Sequence, residues 1–438
     1  MNHVQIAVLG ASGLIGAELT ERLAIEGFDV TAVARRFTEA QKRNFGTAAL
    51  ECPVVALEDA ALWQLLEKVD IVVNCIGVLQ DSAGSSTEEV HAGFVERLLR
   101  TMARAAKPIL LVQLSVPGDP EGDHTGFSRT KRDAERRIAA SEVPHVILRP
   151  GFVVAPSAYG GSALVRALAT LPFSLSARET GVPFAATAIS DIARTISYVA
   201  RRWQAGEREW AASWDVMEAA PSTIGDVVDA FRDRFGGPRA RVELPFWLTS
   251  LGSRAGDLAS LLGWRPPIRT TALMEMRRGV AGDPESWMST TGIVPLSSAE
   301  ALLQVPATVQ EKWFARLYLV KGLILPTLSL FWIVSGLVAL TVSFRAAAGI
   351  LVSVGLPPGP AAAATVLTSI GDIAVGLAIA VRRTCRIGLL AGILVSSVYV
   401  LGAAILMPAI WFDPLGAMVK TLPAIVLMMV ALAILDDR

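Results

Sequence analysis

The last third of this chain is so apolar that it decides the class of architecture before any motif is read. Four segments, 323–344, 361–381, 387–407 and 415–435, are nearly free of charge. About 20 apolar residues in a helix cross a hydrocarbon core, and a helix satisfies its own backbone there. Four such segments in succession are poorly explained as buried helices of a large soluble protein. The mean hydropathy of +0.48 comes from this region, because the sequence up to about Arg316 is mixed and charged. With 438 residues, the chain is read as a water-soluble N-terminal part followed by a multi-pass membrane part.

Basic residues orient the spans. Lys312, Arg316 and Lys321 precede the first segment, and Arg382, Arg383 and Arg386 lie between the second and third. Arg345 and Lys420 fall on the opposite side. The positive-inside rule then predicts a cell inner-membrane protein with its N-terminal domain and C-terminus in the cytoplasm. Segment 346–356 is apolar but too short to span, and reads as an interfacial or re-entrant helix. Asp372 falls near the middle of the second segment and Lys420 near the outer end of the fourth. Charge in lipid is costly, which leaves three readings: a proton or substrate site, a structural Asp372–Lys420 pair, or a protonated Asp with a snorkelling Lys.

Other bulk properties exclude classes. The 40 Lys+Arg balance 40 Asp+Glu, so no basic surplus points to nucleic acid. Cys52, Cys75 and Cys385 are far apart, and neither a disulfide framework nor a metal site is expected. The start, Met1-Asn2-His3-Val4-Gln5-Ile6, lacks the pattern of a signal peptide.

The N-terminal part opens on chemistry. Val4-Gln5-Ile6-Ala7-Val8-Leu9 reads as a strand and runs into Gly10-Ala11-Ser12-Gly13-Leu14-Ile15-Gly16. A helical pattern follows to Gly27, then a second strand at 30–34. Strand, glycine turn, helix and strand in about 30 residues make the glycines meaningful as a dinucleotide-binding turn. Gly10 allows the tight turn, Gly13 lets the backbone approach a pyrophosphate, and Gly16 lets the helix pack on the strand. The helix N-terminus offers free N–H groups to phosphate. Arg35-Arg36 follow the second strand, where NAD enzymes usually place an acid; arginine there suits a 2′-phosphate, so NADP(H) is favoured over NAD(H). The alternative is a solvated basic loop. Residues 87–107 read as an amphipathic helix with Val90, Phe94, Leu98 and Met102 on one stripe.

The GxxGxxG spacing resembles that of extended and atypical short-chain dehydrogenase/reductases. That resemblance implies several site residues. Asp70-Ile71-Val72-Val73-Asn74-Cys75-Ile76-Gly77 resembles the family's strand beside the cofactor, with Asn74 and Gly77 as contacts. Strand 109–115 ends in Ser115, the position of the family's substrate-orienting serine. His145-Val146-Ile147-Leu148 leads into Arg149-Pro150-Gly151, which looks like the segment turning beside the nicotinamide, with Pro150 shaping the pocket. The family's Tyr-x-x-x-Lys motif puts both side chains on one helix face; Tyr moves the proton, and Lys holds the ribose and lowers the Tyr pKa. Here Lys131 fills the Lys position, but Phe127 stands where Tyr is expected. His124, Ser128 and Tyr159 are imaginable substitutes without the correct helical offset. Catalytic candidates are Ser115 and Lys131.

Residues 156–311 are mixed. Helices are expected at 189–203, at 222–235 with Ser222 as N-cap, and at 251–263. Trp203, Trp210, Trp214, Trp247, Trp264 and Trp287 read as core before pocket lining, while Arg265, Arg269, Arg277 and Arg278 are free to face substrate or lipid headgroups. The stretch 407–416, Met-Pro-Ala-Ile-Trp-Phe-Asp-Pro-Leu-Gly, with Lys420-Thr421-Leu422-Pro423, Phe331-Trp332 and Ser335-Gly336, resembles DoxX-like four-helix membrane domains. Some relatives of that family are linked to quinone-dependent redox complexes.

The expected fold is α/β: a Rossmann doubly wound parallel sheet over 1–155, a small substrate-side lobe over 156–311, and an all-α four-helix transmembrane bundle over 312–438. The expected function is membrane-anchored NAD(P)H oxidoreduction on a lipophilic small molecule such as a quinone, with lipid, and a membrane redox complex, as partners. Two alternatives stand beside it. One is a non-catalytic NADP(H)-binding scaffold or sensor, as in the complex I accessory subunit that the soluble part resembles. The other is an NAD(P)-dependent epimerase or dehydratase on a lipid-linked sugar.

Overall fold

The computed structural model describes residues 4–81, 85–412 and 416–435. The chain divides into two compact units, residues 1–253 with 267–315, and residues 254–266 with 316–438.

The first unit is built on a parallel sheet of seven strands: β1 (Gln5–Leu9), β2 (Asp29–Ala34), β3 (Ala49–Glu51), β4 (Ile71–Asn74), β5 (Leu110–Leu114), β6 (His145–Pro150) and β7 (Ala211–Val216). Their order across the sheet is β7-β6-β5-β4-β1-β2-β3, and every neighbouring pair is parallel. The chain winds outward both ways from β1. The crevice therefore opens at the carboxyl ends of β1 and β4, where ligands bind in sheets of this kind.

Alternation along the strands sorts the core into two layers. Ile6 and Val8 of β1 face one way, onto Leu19 and Leu23 of α1 (Leu14–Ile25) and Ile192, Ile196 and Trp203 of a helix at Ile189–Gln204. Ala7 and Leu9 face the other way, onto Leu62 and Leu66 of α3 (Asp59–Leu66), Phe94 and Leu98 of α4 (Phe94–Ala103), and Ala134 and Ile138 of α5 (Gly126–Ala139). Strands buried on both faces are the expected result of helices covering a parallel sheet. Trp203, Trp210, Trp214 and Trp287 are core residues, and Trp247 is exposed. The helix α2 (Glu39–Phe45) starts at Thr38 with a capping box to Gln41. A third apolar cluster, including Val154, Phe184, Ile224, Phe231 and Leu302, forms the lobe after β6.

Several local expectations are corrected. The helix at Ile224–Phe235 is capped by Thr223, not Ser222, because Thr223 accepts from Asp226 N in a reciprocal capping box. Ser222 instead hydrogen-bonds Ser298 Oγ at 3.0 Å. The single helix expected over 87–107 is a π-helical turn, Glu89–Gly93, running into α4. The helix expected at 251–263 begins earlier, at Phe246, and ends at Leu261, with Gly263 at φ +86° stopping it.

In the second unit, three helices are long and apolar enough to cross a membrane: Val309–Leu340, Pro358–Ala380 and Cys385–Leu406. The fourth expected span forms a helix at Ala417–Ala433, 17 residues with Pro423 inside it, at the lower end of the length that crosses a hydrocarbon core. Asp413, Pro414 and Leu415 of the DoxX-like signature lie outside the described residues. The short apolar helix is Phe344–Ser353. The segment carrying Trp264 packs with this unit: Trp264 Nε1 donates to Ala380 O at 2.7 Å, and the Arg382 guanidinium lies 5.2 Å from its ring centroid.

Candidate functional site

At the end of β1 the chain turns through Gly10, whose φ of +82° lies in the left-handed region. Gly10 N and Ala11 N both donate to Val33 O, at 2.9 and 3.1 Å, which pins the turn to β2. A Cβ on Gly16 would lie 2.4 Å from Gly10 O, so only glycine lets α1 pack this closely on the turn. Gly13, the N-cap of α1, provides no side-chain cap. The N–H groups of Leu14, Ile15 and Gly16 therefore lack intrahelical acceptors. Three other helices satisfy these groups with capping boxes, at Thr38, Thr223 and Ser297. The bare helix start, at the crevice of the sheet, is an anion cradle that fits a pyrophosphate. Ser12 O accepts from Gln41 Nε2 at 3.3 Å, tying α2 to the cradle.

Arg35 and Arg36 follow β2 directly, and both are exposed. Behind them Glu51 Oε1 accepts from Phe37 N at 2.8 Å and lies 3.4 Å from Lys42 Nζ. The Phe37 N–H, and then the neighbouring cations, hold the Glu51 carboxyl below its usual range.

The second cluster gathers at the ends of β4 and β5. Asn74, fully buried, donates to Gln113 Oε1 at 2.9 Å and accepts from Ile76 N at 3.2 Å, which fixes the turn to Gly77. Lys131 is 5% exposed. Its Nζ donates to Ile76 O at 3.1 Å and to Leu114 O at 2.8 Å, using two of three protons. Burial pushes its pKa down to about 8, against the opposing pull of Cys75 and Glu135. Ser115, one residue past β5, is buried, and its hydroxyl lies against the Glu135 carboxylate, which it helps to keep ionised. Pro150 is buried at the end of β6, and Gly151 N donates to Thr187 Oγ1 at 2.7 Å.

Phe127 is half-buried and lies edge-on to His91, with ring centroids 5.6 Å apart. His91 was not legible as a site residue; it sits in the π-helical turn, and such turns frequently mark functional sites. Val78 N donates to its Nε2 at 3.1 Å, so Nδ1 carries the proton and faces Thr130 Oγ1 at 2.7 Å. Burial, with Lys131 nearby, pushes its pKa down to about 3. His91 is thus a neutral, fully engaged imidazole rather than a replacement acid. Of the imagined substitutes, Ser128 is fully buried and donates to Glu275 Oε1 at 2.9 Å, while His124 and Tyr159 are exposed.

A chain of buried charge surrounds this cluster. Arg149 grips Glu135 with Nε at 2.9 Å and Nη2 at 2.7 Å. Arg132 joins Glu135 to Asp123, at 3.1 Å to each. Arg278 continues to Asp123 at 2.8 Å and Pro117 O at 2.6 Å, and reaches Glu275 at 3.3 Å. Burial works to raise the Glu135 carboxyl, but the hydrogen bonds from Arg149 and Ser115 and the charges of Arg149 and Arg132 outweigh it and hold it below the usual range. Arg277 pairs with Glu179 at 2.6 Å. Arg277 and Arg278 are therefore spent on protein carboxylates.

Comparison with known proteins agrees with this architecture. Residues 10–172 match the NAD(P)H-binding family model and residues 329–429 the DoxX-like family model. The chain joins an NAD(P)-binding, short-chain-dehydrogenase-like Rossmann domain to a DoxX-like domain. It is 27% identical over 273 residues to dTDP-6-deoxy-L-talose 4-dehydrogenase (NAD(P)(+)) of Kitasatospora kifunensis, covering 55% of this chain and 82% of that one. The UDP-glucuronic acid 4-epimerase of Bacillus cereus, solved with UDP-glucuronic acid and NAD, superposes with a TM-score of 0.52 at 13% identity, over 72% of this chain and 100% of that one. A human epimerase family protein solved with NADPH gives 0.51 at 17% identity, over 69% and 99%. At these identities the structures show the fold. The DoxX-like domain of this oxidoreductase-like chain is membrane-embedded and contacts lipid.

Proposed function

We propose that the Rossmann domain binds NADP(H) and serves an oxidoreductase acting on a lipophilic carbonyl acceptor of the quinone type. Phe127 carries this reading. When bound, the nicotinamide supplies the hydride. Gly10, Ser12, Gly13, Leu14, Ile15 and Gly16 cradle the pyrophosphate, and Arg35 and Arg36 meet the 2′-phosphate. Asn74, Gly77 and Pro150 shape the wall beside the ribose and nicotinamide. Lys131 has one ammonium proton left for the ribose hydroxyls, and Ser115, whose hydroxyl lies against Glu135 at the end of β5, orients a carbonyl oxygen. With Phe127 in place of tyrosine, the chain delivers no proton at that point. A quinone tolerates this, since its reduced form takes protons from water. The DoxX-like domain would keep such an acceptor within reach from an inner membrane, with the Rossmann domain on the cytoplasmic side.

A second reading is a non-catalytic NADP(H) scaffold or sensor of a membrane redox complex. The closed His91–Thr130–Val78 hydrogen bonding beside Phe127 favours it, because nothing there can exchange a proton. The names of the similar proteins favour a third, epimerase or dehydratase chemistry on a lipid-linked sugar, which Phe127 opposes. The deciding experiment is NADPH oxidation by the full-length protein in vesicles containing a ubiquinone or menaquinone analogue. Turnover in wild type that is lost in Lys131→Ala supports the oxidoreductase. Saturable NADPH binding without turnover supports the scaffold.

A further inference from the structure

The DoxX-like unit carries polar side chains that the chemistry above does not use. Hydroxyls on apolar helices usually close onto a carbonyl one turn back. Thr365, Thr368 and Ser397 do so, donating to Ala361 O, Ala364 O and Ile393 O at 2.9, 2.9 and 2.7 Å. Ser329 reaches across to Gly376 O at 2.9 Å. Ser369 and Ser396 do neither. Each is 1% exposed, and among the described residues neither Oγ has a partner. Trp332, 2% exposed, likewise leaves Nε1 unpartnered.

These groups converge. Ser369 lies one turn before Asp372 on Pro358–Ala380, and Ser396 one turn before Tyr399 on Cys385–Leu406. The two helices meet there: Tyr399 Oη donates to Asp372 Oδ1 at 3.1 Å. Val309–Leu340 closes a third side at Gly336, where an added Cβ would lie 2.5 Å from Ser369 O and 3.1 Å from Asp372 Cβ. Trp332, one turn before Gly336, places Nε1 beside Gly392, one turn before Ser396; a Cβ on Gly392 would come within 3.2 Å of it. Each unpaired polar group in apolar surroundings costs about 1–3 kcal/mol. Three of them within about a turn of the Asp372–Tyr399 contact along the packed helices make a costly arrangement.

The donor inventory selects the ligand. Trp332 Nε1 only donates, so it cannot help to hold a cation. Two hydroxyls free both to donate and to accept, one turn from Asp372 and from its partner Tyr399, match the needs of a proton. We infer that Asp372, with Ser369, Ser396 and Tyr399, is a proton-binding site inside the DoxX-like bundle, and that its proton exchanges with water through these hydroxyls. Tyr399 is the titratable group set against Asp372. From Val309–Leu340 the facing residue is Gly336, and the cation of the packed helix Phe344–Ser353, Arg345, is exposed. Lys420 is also exposed, and no ion pair joins it to Asp372 among the described residues.

The test is labelling of the full-length protein in lipid vesicles with dicyclohexylcarbodiimide, which condenses with protonated carboxyls in apolar surroundings, read by peptide mass spectrometry. Asp372 should be modified in preference to surface carboxyls such as Asp226. Its labelling should fall by about tenfold or more as pH rises from about 5 to about 9. Tyr399→Phe removes a donor to the charged form, so labelling should persist to higher pH. An unlabelled Asp372, or labelling that stays flat across this range, would overturn the inference. So would a profile unmoved by Tyr399→Phe. The wild-type profile decides by itself if that variant fails to fold.

Discussion

Raising the pH through about 8 should weaken NADPH binding, and Lys131 is the reason. Two of its three ammonium protons are committed to Ile76 O and Leu114 O. A neutral amine has only two protons, so deprotonation leaves a lone pair where the proposed contact with a ribose hydroxyl needs a donor. The sign follows from the depressed pKa: below about 8 the ammonium is intact and affinity is constant; above it, affinity falls as the proton is lost. A hydrogen bond from a charged donor is worth about 1.5–3 kcal/mol, which converts to about a 10–150-fold rise in Kd. Neighbouring groups do not blur the window, since burial pushes Cys75 up to about 12 and His91 down to about 3. The assay is NADPH fluorescence titration of the full-length protein from about pH 6 to about pH 10. In Lys131→Ala the Kd should be high and flat. A wild-type Kd that does not change between about pH 7 and about pH 9.5 would refute the ribose role of Lys131.

Gly16→Ala puts a Cβ 2.4 Å from Gly10 O, so the turn must open and NADPH affinity should fall by about 100-fold or more, measured by the same titration. Replacing both Arg35 and Arg36 with Glu should cut NADPH affinity by at least about tenfold while leaving NADH within about threefold; equal losses for both cofactors would count against a 2′-phosphate contact. Glu135→Ala removes the carboxylate shared by buried Arg132 and half-buried Arg149, which keep Asp123 and Asp215, and should cost about 1–3 kcal/mol, seen as a lowered unfolding midpoint of the N-terminal unit. In Glu300→Ala, which removes half of a surface capping box, the loss should stay near 1 kcal/mol or below.

What could be read from the sequence was local. The strand–glycine–helix turn at 5–25 is legible because strand alternation, helix periodicity and the Gly10–Gly13–Gly16 spacing all fall within two dozen residues. The apolar helices are legible by composition alone. Contacts between distant segments were not. Glu275 reaches back about 150 positions to Ser128, and Arg278 to Pro117 O, so no periodicity connects them. His91 read as one more residue of an amphipathic helix, because a π-helical turn leaves no mark on an apolar stripe. The cap at Ile224–Phe235 was missed by one residue, since Ser222 and Thr223 are both good caps and only the reciprocal bond to Asp226 separates them. Asp372 invited a charged partner, yet its partner is the hydroxyl of Tyr399, which hydropathy hides within an apolar helix.

The buried charges around Phe127 bear on what the site can do. Ion pairs taken out of water rarely stabilise a fold beyond what apolar side chains would achieve, so the run from Arg149 through Glu135, Arg132, Asp123 and Arg278 to Glu275 is poorly explained as a source of stability. Its geometry is more informative. Arg132 Nη2 donates to Gly118 O at 2.9 Å, Arg278 to Pro117 O, and Glu275 accepts from both Thr125 and Ser128. Every contact falls on the segment between Ser115 and the first turn of α5. That segment separates the two candidate catalytic residues, Ser115 and Lys131, and carries Phe127 between them. Hydride transfer gains from a fixed approach of donor and acceptor, and a displacement of about 1 Å can cost about 100-fold in rate. On the proposed reading Phe127 moves no proton, and a segment clamped on both sides would still supply the fixed approach that hydride transfer requires. Passive cofactor retention requires less, because the phosphate cradle between β1 and α1 and the Arg35-Arg36 pair just after β2 lie outside the clamp.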